Sequence, residues 1–363
     1  VTFTLDEISI LCVYSAMAVY AIAFIAYAVD LARRGAAAAR AADASAEAGL
    51  SAGATAPERI GVLQAAGAAD ATAGGSTRGG ASGPAADAPA PRVSRWQRAT
   101  DHGAQVDYGR SPVLRVAVAM TVLAWLLHLT GAVLRGIAAE RVPWANMYEF
   151  ALTGTLLVTT VYLVVLVAAK QDLRFLGTFI SGLVLVLLGV ATVNFYVSVV
   201  PLPPALQSAW LIIHVFVATA SVGFFALGFA LSVVQLMQAR RESLSATAES
   251  VKRSFLATLP DAAALENLAY RLNIIGFIFW TFTLIAGAIW AERAWGRYWG
   301  WDTKEVWTFI IWVVYAGYIH ARATRGWRGS RSAWLAIIGF STVLFNFTVV
   351  NLFFKGLHAY SGL

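Results

Sequence analysis

Eight apolar runs, at roughly residues 8–30, 113–135, 148–169, 175–198, 209–237, 272–291, 305–321 and 333–354, dominate this chain. Crossing the hydrocarbon core of a bilayer takes about 20 apolar residues, since each helical residue adds only about 1.5 Å. Backbone exposed to lipid must satisfy its own hydrogen bonds, so runs of this length become helices. The expected fold class is an all-α membrane protein with about eight transmembrane helices. Composition agrees: 13% of residues are charged, against about 25% in soluble domains. The net charge of +7 does not mark a nucleic-acid partner, because the basic residues fall between the runs, where they orient the chain.

Three regions follow: an N-terminal transmembrane helix at 1–34, an Ala/Gly/Pro-rich segment at 35–112, and a large transmembrane domain at 113–363. The first run opens "VTFTLDEIS", with Asp6 and Glu7 where a cleaved signal peptide carries basic residues. It reads as a retained helix with its N-terminus outside. The segment 35–112 has too few large apolar side chains to build a core and reads as a disordered cytoplasmic linker. With eight spans and an outer N-terminus, the inner segments 31–112, 170–174, 238–267 and 322–332 carry nineteen Lys and Arg, and the outer segments six. That asymmetry sets the topology. Cys12 is the single cysteine, so the chain can form no internal disulfide or paired-Cys site, and it has no CxxCH haem-attachment motif.

One outer segment is unusual. "WGRYWGWDTKEVW" (295–307) interleaves Trp295, Trp299, Trp301 and Trp307 with Arg297, Asp302, Lys304 and Glu305. Aromatic residues gather at membrane interfaces in any case. A belt of rings, however, does not require ionised groups among them. The alternative is an apolar platform edged by polar groups, suited to a planar macrocycle that bears carboxylates.

The chain has five histidines. His102 falls in the linker and is read as inert. His128, His214, His320 and His358 lie in or beside spans, where ionisable groups are costly and mark function unless a neighbouring carbonyl satisfies them. His214 sits about one turn inside the outer end of the fifth run, and His358 follows the eighth on the same face. Two imidazoles flanking an aromatic platform suggest axial ligands of one haem iron. His320 lies deep in the seventh run and His128 nearer the outer half; the mismatch in depth makes them an awkward pair. A partner chain is one source of a second ligand for His320. Glu149 pairs with Arg141, orients the platform or is simply exposed at the interface. Gln207 and Asn351 are read as satisfying backbone groups between helices.

These residues resemble the Trp-rich (WWD) signature of the CcsA/ResC family, the haem-handling membrane subunit of system II cytochrome c maturation, in a superfamily with CcmC and CcmF. "RVPWANMYE", "LQSAWLIIHV", "AGAIWAERAWGRYWGWDTKEVW", "YIHAR" and "GLHAYSG" occur in the family's order across 113–363. The resemblance implies that His214 and His358 are outer-face haem ligands. It implies that His320 is a transmembrane haem ligand completed by a ResB/CcsB-like subunit, and that Trp295 to Trp307 form the haem platform. His128 receives no role from it.

The implied function is to move haem b to the outer face of the plasma membrane and present it for thioether attachment to apocytochrome c. The chain would act as a haem lyase, or synthase, together with that membrane partner and a possible thiol reductant supplier. In this reading no residue is assigned as a catalytic nucleophile; Arg297 meets a propionate, and Asp302 orients an indole or nearby backbone. Two other functions use similar residues: a haem exporter or chaperone without ligation, and a b-type cytochrome electron-transfer subunit.

Overall fold

A computed structural model describes residues 4–54, 111–169, 171–199, 206–245 and 255–358. Eight long helices order these residues: α1 (Leu5–Ala54), α2 (Pro112–Ala138), α3 (Met147–Ala168), α4 (Gly177–Asn194), α5 (Ala209–Ser245), α6 (Ala262–Trp295), α7 (Thr303–Thr324) and α8 (Ser330–Phe345). Each of the eight apolar runs coincides with one of them, and there is no strand among the described residues. By length and composition alone seven qualify to span a membrane. The other is α7, whose 22 residues include Lys304, Glu305, His320 and Arg322. The chain is an all-α, multi-pass membrane protein.

The linker boundary needs correction. Helix α1 does not end near residue 34 but continues to Ala54. The alanines that look like filler are the strongest helix formers, and no proline interrupts them before Pro57. Residues 55–110 of the expected linker, His102 included, lie outside the described residues. Contacts divide the chain into two compact units, Val1–Ala39 with Gln105–Leu363, and Arg40–Ala104.

Within the larger unit α5 and α6 form the most extensive pair; α5 also packs on α3 and α8, and α7 on α6 and α8. Trp280 of α6 is buried, and its indole donates to the Thr308 carbonyl of α7 at 3.1 Å. Trp312 of α7 reciprocates, donating to the Thr281 hydroxyl of α6 at 3.0 Å. Two indole N–H groups are thus satisfied while their rings fill the seam between the helices.

His128 is a core histidine. It is fully buried, with Nε2 2.9 Å from the Leu152 carbonyl and Nδ1 3.4 Å from the Tyr20 hydroxyl. Both nitrogens are engaged between α1, α2 and α3, which explains a membrane histidine with no assigned role.

One end of the bundle is tied by charge. Arg135, at the end of α2 and fully buried, pairs with Glu149 at 2.9 Å and Asp6 at 2.6 Å and donates to the Val197 carbonyl at 2.8 Å. Arg141 closes on the other Glu149 oxygen at 2.6 Å. The start of α1, the end of α2, the start of α3 and the segment after α4 therefore meet at one end. At the opposite end Arg322 pairs with Glu266 at 2.9 Å.

Candidate functional site

The tryptophan-rich connection between α6 and α7 is short because both of its ends are capped. Gly296, at φ 69°, adopts the left-handed conformation that closes α6. Asp302 opens α7 with a capping box, its side chain on the first-turn amides and the Glu305 side chain reaching back. Glu305 Oε2 accepts from the Gly300 and Asp302 amides at 2.8 and 3.1 Å. Between the caps, Trp301 takes φ 58°, a strained value for a bulky residue.

Asp302 also reaches beyond its helix. Its Oδ1 accepts from the Leu357 amide at 3.0 Å, and its Oδ2 lies 2.7 Å from His358 Nδ1. The hydrogen bond from His358 is the main cause that holds the Asp302 carboxyl below its ordinary value. A carboxylate only accepts, so Nδ1 of His358 carries the proton. Across the recess, His214 of α5 sets its Nδ1 3.0 Å from the Thr283 carbonyl of α6, which also only accepts. Both rings therefore keep a bare Nε2 when neutral. Oxygen acceptors on the far nitrogen are what orient metal-ligating histidines. Among the described residues neither Nε2 has a hydrogen-bond partner.

Trp290 of α6 joins the two rings. His214 stacks on it at 5.9 Å and 15°; His358 meets it edge-on at 5.5 Å and Trp295 at 5.0 Å. Gly287, one turn before Trp290, makes room for His214: a Cβ there would stand 2.7 Å from the imidazole Cε1. His214, His358 and Trp290 line one recess with Trp299, Lys304 and Asn346, among others, enclosing about 1150 Å³ of unfilled space out to its mouth.

The predicted residues divide. His214, His358 and Trp299 line the recess, and Trp295 backs His358. Asp302 acts through His358 and the Leu357 backbone. Trp301 is 78% exposed and lies outside the lining. Trp307 packs on Phe345 at 4.3 Å, away from the recess. Arg297 is exposed, with its guanidinium over Gly300, where an added Cβ would stand 2.3 Å from it. His320 is exposed on the side of α7 and does not line the recess. Glu149 pairs with Arg141, as one sequence reading had it, and with Arg135 besides. Asn351 accepts from the Lys304 ammonium, a role not foreseen, and also donates to the Phe347 carbonyl at 3.1 Å.

Sequence reasoning missed Trp290, Gly287 and Asn146. The first two belong to the pattern Gly287, Trp290, Ala291, Ala294, an α6 face of small residues bearing a single indole, visible at helical spacing. Asn146 carried a signal as well: in "NMYE" an Asn stands three residues before a Glu, the pattern of an N-cap.

Residues 144–358 match the family described as cytochrome C assembly protein. The chain is similar to the cytochrome c biogenesis protein CcsA of Guillardia theta, with 34% identity over 266 residues covering 69% of this chain and 87% of that protein. It is similar to the protein of that name from Synechococcus sp. (strain CC9902), with 35% identity over 274 residues and the same two shares. The CcsA of Synechococcus elongatus is 35% identical over 284 residues, 68% of this chain and 85% of that one.

Proposed function

This chain belongs to the cytochrome c assembly protein family, in its CcsA/ResC branch, and acts in cytochrome c maturation; from that premise we propose that it holds haem b in the recess between His214 and His358 for attachment to an apocytochrome. The observation that carries this reading is the pair of imidazoles, each with Nδ1 engaged by an oxygen and Nε2 bare, on one indole-lined recess. Imidazole nitrogen in apolar surroundings suits iron.

Haem is the substrate, and its vinyl groups supply the reactive carbons. In each addition a cysteine S–H crosses a vinyl C=C: sulfur bonds one carbon, hydrogen the other, and no net electron transfer occurs. The chain's part is placement, which contributes about 7–11 kcal/mol in the best intramolecular cases. Asp302 and Thr283 fix the two rings, Trp290 and Trp299 face the macrocycle, and the apolar walls exclude water. We place the recess on the extracytoplasmic side of the plasma membrane, in keeping with the basic residues gathered on the other side.

His320, exposed about 26 Å along α7 from its first residue by helical rise, is proposed to bind haem on its way outward. Its second ligand would come from a ResB/CcsB-like subunit lying on that face. A thiol reductant supplier would keep the apocytochrome cysteines reduced. Delivery of intact haem is the second reading, suited by a mouth at which Trp299 remains 37% exposed.

Coexpression with an apocytochrome and the membrane partner separates these readings. A c-type absorption band that survives acid–acetone extraction supports attachment; haem bound to the chain with no such band supports delivery. If His214→Gly and His358→Gly both retain full haem, the ligand assignment is wrong.

A further inference from the structure

The recess carries a half-buried cation with no ion-pair partner among the described residues. Lys304, in the first turn of α7, lines the wall with its ammonium on the neutral Asn351 oxygen and 5.5 Å over the Phe347 ring. Among the described residues no carboxylate lies within ion-pair distance of it. Asp302 acts on it through space but is committed to Leu357, His358 and the helix cap. A half-buried cation with no ionised partner leaves its charge directed at the recess, which suits that wall to receive negative charge.

A second observation points the same way. Asn146 is only 6% exposed and lines the same recess. Its Oδ1 is used as the α3 cap, accepting from the Glu149 amide at 2.9 Å, while its Nδ2 is buried with no partner. The two donors share an end of the recess: Asn351, bound to Lys304, approaches Met147 Sδ at 3.3 Å, next in sequence to Asn146. The starts of α3 and α7 lie here as well, adding the positive ends of two helix dipoles. Glu305 is the one carboxylate on this wall; the Gly300 and Asp302 amides hold its Oε2, while its Oε1 is buried without a partner.

We infer that the Lys304 ammonium and the Asn146 amide form a carboxylate subsite that takes a propionate of the haem. The inference rests on the proposed haem-binding reading and adds an orientation to it. Propionates and vinyls occupy opposite edges of haem b, so fixing one edge at Lys304 turns the reactive vinyls away from it. Arg297, exposed on the connection, is not needed for this contact.

The test uses purified full-length protein in detergent, titrated with ferric haem and with its dimethyl ester and followed by absorbance. Wild-type protein should bind the ester about tenfold more weakly, the scale of one charge-assisted contact. Lys304→Met should weaken the free acid to the ester's level and leave the ester unchanged, and Lys304→Arg should restore most of the difference. Equal binding of acid and ester by wild-type protein overturns the subsite while leaving the haem-binding reading intact, as does a Lys304→Met variant that weakens both alike. Failure of wild-type protein to bind either compound overturns both. If Lys304→Met elutes as aggregate in size exclusion, the wild-type comparison of acid and ester decides alone.

Discussion

The Asp302 carboxylate, 2.7 Å from the His358 imidazole, ties the tryptophan-rich connection to the chain's last described residues. One side chain starts α7, anchors the Leu357 backbone and sets which nitrogen of His358 is bare. Gly356 allows this closeness, since a Cβ there would stand 2.1 Å from Asp302 Oδ1. The residue that completes a WWD-type motif here acts mainly by presenting a histidine far away in sequence.

Asp302→Asn should therefore reduce haem retention about tenfold or more, the usual effect of losing a ligand's orienting partner. The contact should also depend on pH in one direction. The folded carboxyl titrates below its ordinary value, so the contact is fully present above the unfolded value of about 3.9. It is lost as pH falls through the lower folded value. Trp295 and Trp290 lie against His358, so tryptophan emission should change as the pH falls below about 4 and the Asp302 carboxylate is lost. Emission that stays unchanged below about pH 4 would contradict this account.

Gly287→Ala separates helix stability from site geometry. Alanine gains about 1 kcal/mol over glycine in a helix interior, so α6 itself is not weakened. The added methyl would stand 2.7 Å from Cε1 and 2.9 Å from Nδ1 of His214, closer than real contacts allow, and the ring must turn. Haem binding should fall sharply while thermal unfolding followed by circular dichroism stays the same or shifts upward. A variant with wild-type haem content would show that His214 is free to move.

The two tryptophans Trp290 and Trp301 should respond oppositely. Trp290 is 2% exposed and touches both imidazoles, so Trp290→Ala should cost about 3–5 kcal/mol of stability and abolish the paired-histidine spectrum. Trp301 is mostly exposed and its loss should leave the folded protein and its haem spectrum unchanged. Any maturation defect of Trp301→Ala would then arise in contact with another molecule. Melting temperature and the reduced-minus-oxidised spectrum, measured on both variants, check the contrast.

How far the sequence could be read depends on which forces set each feature. The eight helices were legible because burial in lipid demands runs of apolar residues whatever the packing. The extension of α1 past residue 34 was not, since alanine is neutral in composition arguments yet strongly helical. His214 and His358 could be paired by counting residues from the outer helix ends. The facing of the aromatic connection could not, because it turns on the left-handed Gly296 and the strained Trp301, which expose Trp301 and Arg297 while Trp299 stays at the recess. Trp290, the ring shared by both histidines, stood inside an apolar run where any large side chain looks like core.

Glu149 could be read as pairing with Arg141, and it does so at 2.6 Å; it also holds Arg135, whose side chain has no exposure at all. Charges buried this fully are tolerated only while every partner remains, and removing one partner of such a pair costs about 3–5 kcal/mol. Arg135→Leu would leave Glu149 with Arg141 alone and leave Asp6, at the start of α1, with only the Tyr196 hydroxyl. We expect a large loss of thermal stability and increased proteolysis near residues 195–199, where Val197 loses its donor. A double variant, Arg135→Leu with Asp6→Leu, should recover part of the stability, because Glu149 keeps Arg141 and the carboxylate left without its cation is removed as well. Since neither side chain lines the recess, the absorption spectrum of whatever haem remains bound should keep its wild-type shape. A changed spectrum would mean that this network positions the site as well as the fold.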